Sequence, residues 1–122
     1  MKTLLLIEDD EINRQFLLEI LQEDYVVLTA ANGQHGLDIL EKEAQSISAI
    51  LLDIQMPVMN GFDTTLTIRK MKDDKKAMIP IIAMTANAFA EDRQKALSVG
   101  MNDHVAKPVD MNILAPTMMK YL

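Results

Sequence analysis

The chain contains no cysteine, which excludes a disulfide framework and a thiolate zinc site and makes an intracellular compartment the default expectation. Positive charge is also scarce. Twelve Lys and Arg stand against 18 acids, a net charge of −6, and such a balance repels a phosphate backbone and argues against direct nucleic-acid binding. Nowhere do the ~18 consecutive apolar residues of a membrane span occur, and no cleavage-site pattern follows Met1-Lys2-Thr3. The expectation is a soluble, cytoplasmic protein without membrane contact. What is present is ordinary globular material: 49% hydrophobic and 25% charged residues in 122 positions, enough for one domain spanning 1–122 with a real core.

Five short apolar runs, near 3–8, 26–30, 49–53, 79–84 and 104–107, alternate with five amphipathic stretches near 12–22, 34–44, 62–72, 91–99 and 111–121. Phe16 with Ile20 and Leu17 with Leu21 recur at the i, i+4 spacing of a helix. Asn32-Gly33 and Asn60-Gly61 mark turns, and Pro57, Pro80 and Pro108 punctuate strand edges and loops. Strand and helix in alternation predict an α/β fold with a parallel sheet covered on both faces. Right-handed crossovers then give a doubly wound sheet whose ligands bind beyond the strand C-termini.

That edge is where the charged residues fall. Asp53 ends the run Ala49-Ile50-Leu51-Leu52, where a strand core stays uncharged, so it is expected at a strand's C-terminal edge facing a site. Thr3-Leu4-Leu5-Leu6-Ile7 ends in Glu8-Asp9-Asp10, and His104-Val105-Ala106 ends in Lys107-Pro108. Carboxylates suit a hard, oxygen-ligated cation such as Mg²⁺, and a lysine holds phosphate as a point charge. Adjacent carboxylates repel, so a divalent cation is their natural counter-charge. The alternative for the three consecutive acids is a solvated patch at the start of the first helix, which favours negative charge. Asp10 fits that alternative best. Lys70, Lys72, Lys75 and Lys76, interleaved with Asp73 and Asp74, read as a solvated loop. Ten methionines fill core and helix interfaces, with Met101, Met111, Met118 and Met119 as candidates for an adaptable partner surface.

Ile7-Glu8-Asp9-Asp10, the run Asp53-Ile54-Gln55-Met56-Pro57-Val58-Met59-Asn60-Gly61, Met84-Thr85-Ala86-Asn87-Ala88, and Lys107-Pro108 together resemble the receiver domain of two-component response regulators. The likeness covers essentially all 122 residues, and the second and third motifs look most like receivers of hybrid sensor histidine kinases. It implies a chemotaxis-type, flavodoxin-like fold with five parallel strands in the order 2-1-3-4-5 and five helices. It implies further that Asp53 is the phosphoacceptor, with Mg²⁺ held directly by Asp9, through water by Glu8, and by Asp53 and the Gln55 backbone carbonyl. By the same likeness Lys107 pairs with Asp53 and then with a phosphoryl oxygen, through a Lys–Pro bond that is commonly cis in the family. Thr85 supplies a hydroxyl to the phosphoryl group, His104 takes the place of the switch aromatic, and Gln55 with Asn87 flank the attacking water and tune hydrolysis. The implied partners are a histidine kinase or a histidine phosphotransfer domain, and a second copy docked through the fourth helix, last strand and fifth helix.

Three other readings compete. A Mg²⁺-dependent phosphatase with an aspartyl nucleophile needs a second Asp two residues on, where this chain has Gln55. An FMN carrier needs a hydroxyl-rich loop where Glu8-Asp9-Asp10 would repel the phosphate. A pseudo-receiver that only docks partners leaves the acids, Thr85 and Lys107 unexplained. The sequence therefore points to a signalling phosphoacceptor that is not itself an enzyme. The alternatives expected are a stand-alone regulator and one receiver of a hybrid kinase, and the motif wording favours the second.

Overall fold

The computed structural model describes residues 1–43, 46–86 and 90–122. Five strands, β1 (Thr3–Ile7), β2 (Val26–Ala30), β3 (Ile47–Asp53), β4 (Ile81–Thr85) and β5 (Asp103–Ala106), pair in parallel in the order β2-β1-β3-β4-β5. The helices are α1 (Glu11–Leu21), α2 (Gly33–Glu43), α3 (Gly61–Arg69), α4 (Asp74–Ala77), α5 (Ala90–Ser98) and α6 (Met111–Met119). Successive strand residues point to opposite faces, and the apolar runs use both. Leu5, Ile7, Ile50, Leu52, Ile81 and Ala83 pack with Leu37, Leu40, Phe62, Ile68 and Ala96 of α2, α3 and α5. Leu4, Leu6, Leu51, Ile82, Met84 and Val105 pack with Leu17, Leu21, Leu114 and Met118 of α1 and α6. Near-continuous hydrophobic strands are what two covered faces require.

Six helices appear where five were expected. The extra one, α4, lies in the lysine run read as a loop: Asp73 caps it, accepting from the backbone N–H of Lys75 at 2.9 Å and of Lys76 at 3.4 Å. Lys76 also pairs with Glu41 at 3.0 Å. The methionine expectation needs correcting too. Met101 and Met118 are core residues, Met111 packs against the core, and only Met119 of the four is exposed, because Leu114 and Met118 stand four apart on the buried face of α6.

Opposite the carboxyl edge, Arg69 gathers four acceptors. Its guanidinium donates to the carbonyls of Gly100 (2.8 Å), Ala77 (2.7 Å) and Ile79 (2.7 Å) and to Asn102 Oδ1 (2.9 Å). Burial lowers its pKa. The planar fork suits such fixed, multiple donation in a way a lysine does not. Among the described residues no helix is long and apolar enough to cross a membrane.

Candidate phosphoacceptor site

Strand alternation explains why three charged side chains meet. Glu8 lies two residues past Leu6, Asp53 two past Leu51 and Lys107 two past Val105, so all three share the α1/α6 face at the carboxyl edge. Lys107 Nζ sits 3.0 Å from Asp53 Oδ2 and 3.0 Å from Glu8 Oε2, and donates to Glu8 Oε1 at 3.2 Å. The Lys107–Pro108 bond is cis, as expected. Lys107 N–H donates to the Thr85 carbonyl at 2.8 Å, which fixes the end of β5 to the end of β4.

Glu8 is fully buried and Asp53 is 1% exposed. Burial pushes the Asp53 carboxyl up from 3.8 to about 7; the Lys107 hydrogen bond opposes this rise and the Glu8 charge adds to it. For Lys107, burial alone would lower the pKa, but pairing with Asp53 and Glu8 outweighs it and the net direction is up. Asp53 Oδ1 accepts from the Gln55 N–H at 3.1 Å, so the loop after β3 orients the carboxylate.

Gly61 shows how tightly that loop is folded back. Its N–H donates to the Ile54 carbonyl at 2.9 Å, and a Cβ there would lie 2.5 Å from the Asp53 carbonyl oxygen and 2.8 Å from Ile54 Cα. Gly61→Ala must displace backbone directly behind Asp53. We expect a loss of about 2 kcal/mol in urea unfolding. An unchanged midpoint would show that the loop has slack.

The acid cluster fits a hard cation. One carboxylate oxygen each from Glu8, Asp9 and Asp53 lies within 4.8 Å of the others, and all donors are oxygen, as Mg²⁺ prefers. Glu8 Oε2 is buried without a hydrogen bond, although Lys107 Nζ approaches it at 3.0 Å. That approach is an ion pair without hydrogen-bond geometry, so the oxygen keeps a lone pair for a further positive partner. Asp10 is exposed at the start of α1, in line with the solvated patch expected there, and it also caps the helix, accepting from the N–H of Ile12 at 2.9 Å and of Asn13 at 3.5 Å.

Thr85 is buried at the end of β4. His104 lies on the neighbouring strand, where the pairs Ala83 with His104 and Thr85 with Ala106 place it diagonally from Thr85 on one sheet face. Its Nδ1 is 3.9 Å from Asp103 Oδ1. Gln55 is exposed beside Asp53. Asn87 lies outside the described residues.

Two features escaped the sequence reading. Arg14 donates to main-chain carbonyls of the acid loop, and no local pattern announces a guanidinium turned toward carbonyls. Val58, fully exposed, has φ 67°, and the N–H of Met59 donates to the Pro57 carbonyl at 2.8 Å, a γ-turn of the rare, strained kind.

A doubly wound α/β domain with acids and a lysine on one carboxyl edge is the class that fold and site define. The chain belongs to the response regulator receiver domain family, whose profile matches residues 4–118. It is 35% identical over 127 residues to the hybrid signal transduction histidine kinase B of Dictyostelium discoideum, covering 96% of this chain and 6% of that protein. The chain thus spans a small part of that relative's length. Among solved structures it resembles the Vibrio cholerae chemotaxis protein CheY4, with TM-score 0.90, 29% identity and coverage of 100% and 99% of the two chains. The receiver domain of Saccharomyces cerevisiae Ssk1, solved with the histidine phosphotransfer protein Ypd1, has TM-score 0.88 and 29% identity over 98% of this chain and 88% of that one. The receiver of the Pseudomonas aeruginosa sensor kinase PA1611, solved with magnesium in its active-site cleft, has TM-score 0.82 and 32% identity over 98% and 96%. This is a two-component receiver domain, similar to those of hybrid kinases.

Proposed function

We propose that Asp53 accepts a phosphoryl group from a phosphohistidine of a histidine kinase or histidine phosphotransfer domain, with residues 1–122 acting as one receiver unit. An Asp53 carboxylate oxygen forms the bond to phosphorus as the P–N bond to the histidine ring breaks. The observation that carries this reading is the buried Asp53 carboxylate held 3.0 Å from Lys107 beside two more acids. Mg²⁺ supplies the positive charge that offsets the carboxylates and the transferred oxygens. Asp9 would be its direct ligand, Glu8 would hold it through water, and Asp53 and the Gln55 carbonyl would supply the other protein oxygens. Lys107 exchanges part of its contact with Asp53 for a phosphoryl oxygen, and Thr85 donates its hydroxyl to another. Thr85 and His104 form the switch, an assignment their diagonal placement supports. Gln55 and Asn87 are assigned to tuning hydrolysis.

The domain changes covalently once per event and turns over no separate substrate, so we class it as a phosphoacceptor rather than an enzyme. Magnesium in the PA1611 receiver and Ypd1 beside the Ssk1 receiver support the cofactor and the type of partner. A homodimer through α5, β5 and α6 is also compatible with the exposed Leu97, Ile113 and Met119. The test uses acetyl phosphate, Mg²⁺ and intact mass. One added phosphoryl mass that fails to form when a chelator is present from the start is the expected result; a chain that stays unmodified at saturating donor and Mg²⁺ refutes the reading.

A further inference from the structure

We infer that Arg14 is a positioning residue for the cation site: its guanidinium fixes the peptide groups that carry Glu8 and Asp9, and so sets the affinity for Mg²⁺. This rests on the Mg²⁺ reading above. The loop between β1 and α1 leaves the sheet at Glu8, whose N–H still donates to the Ala30 carbonyl at 3.1 Å. Beyond that point, among the described residues, no strand backbone hydrogen-bonds to the main chain of Asp9 or Asp10. The Asp10 N–H turns back to Glu8 Oε1 at 3.3 Å, and the Asp10 carbonyl accepts from the Arg14 N–H at 2.9 Å as α1 begins. The carbonyls of Glu8 and Asp9 are taken by one atom, Arg14 Nη1, at 2.9 Å and 3.5 Å. A single side chain with a planar guanidinium, one turn into α1, therefore ties the two ligand-bearing peptides to the helix.

The choice of acceptor is informative. Arg14 lies in a chain with 18 acids and follows Asp9, Asp10 and Glu11 closely, yet among the described residues no carboxylate forms an ion pair with it. Its charge is met by carbonyl dipoles. Those acids are left unpaired by arginine, which a cation site requires, while the planar guanidinium gives a directional hold that a lysine ammonium lacks.

Charge and position predict opposite signs here, which makes the test sharp. A fixed positive charge beside a cation site repels the cation, so on charge alone Arg14→Gln should bind Mg²⁺ more tightly. If Arg14 positions the loop, Arg14→Gln should bind Mg²⁺ at least fivefold more weakly, because ordering the loop then falls on the binding step. Isothermal titration with Mg²⁺ alone reads the affinity. The ¹⁵N shifts of the Asp9 and Asp10 amides in the metal-free protein read the loop without any phosphoryl chemistry, and should move in Arg14→Gln. Arg14→Lys, which can still reach the Glu8 carbonyl, should recover part of the loss. The core face of α1 is carried by Leu17 and Leu21, so unfolding midpoints without Mg²⁺ should stay near that of the natural chain; Arg14→Lys carries the test if the Gln variant fails to fold. Undiminished or tighter binding by the Arg14 variants, with normal binding by the natural chain, overturns the positioning role alone. Absence of saturable binding by the natural chain overturns the metal reading and this inference with it.

Discussion

Asp53→Asn is expected to take up no phosphoryl group from acetyl phosphate and, without Mg²⁺ at about pH 8, to be more stable than the natural chain by about 2 kcal/mol. The first effect follows from removing the nucleophile: an amide oxygen forms no acyl phosphate. The second follows from burial. The Asp53 carboxyl titrates at about 7 when folded against 3.8 ordinarily, so the folded state holds its proton between those values while the unfolded state has lost it. Stability from that proton is complete below 3.8 and is lost as pH rises through about 7. One pKa unit is about 1.4 kcal/mol, which puts the ceiling near 4 kcal/mol. Lys107 loses a partner in the variant and takes part of this back, although Glu8 remains within its reach. Urea unfolding in a chelator at about pH 5 and about pH 8 should show the natural chain weakening with pH and the variant nearly flat. Equal slopes would mean that another group absorbs the charge at the carboxyl edge.

The second large effect separates two neighbouring acids. Asp9→Asn should weaken Mg²⁺ binding by more than tenfold, whereas Asp10→Asn should change it by less than about threefold, because Asp9 joins the oxygen cluster and Asp10 is occupied in capping α1. Asn caps a helix about as well as Asp, so Asp10→Asn should also keep its unfolding midpoint. Mg²⁺ titration of both variants by calorimetry decides it; equal losses would remove the distinction between ligand and cap.

Most of this arrangement was legible because the informative residues interrupt a strong pattern. A strand core excludes charge, so Glu8, Asp53 and Lys107 mark where each strand stops, and the two-residue period places them on one face. The helix pattern was read less sharply. Phe16 and Ile20 repeat at the same spacing as Leu17 and Leu21, yet only the second pair is buried, and Phe16 is 54% exposed beside a small cavity of about 130 Å³ lined by Asn13, Leu17, Lys107, Pro108 and Val109. Periodicity fixes a spacing and leaves open which of two adjacent stripes meets the sheet. α4 was missed because a four-residue helix is shorter than any periodic window, although Asp73 ahead of Asp74 and two lysines is a capping signal. Arg14 and Arg69 were invisible for a different reason. All but one of their partners are main-chain carbonyls, Arg69's up to 31 residues away, and every residue type supplies a carbonyl.

The Arg69 cluster bears on how so small a domain can signal. Signalling by shape needs a stationary end as well as a moving one, since a sub-ångström displacement that carries the whole body with it offers a partner nothing to read. By fastening α3 to the turn before β4 and to the connection from α5 into β5, the guanidinium makes the far pole a common anchor. Helix α5 is thereby clamped at its C-terminal end through Gly100 and the bond from Met101 N–H to the Ala96 carbonyl. The C-terminal end of α5 is thus the fixed reference, rooted at Arg69, against which a displacement elsewhere in the domain can be read.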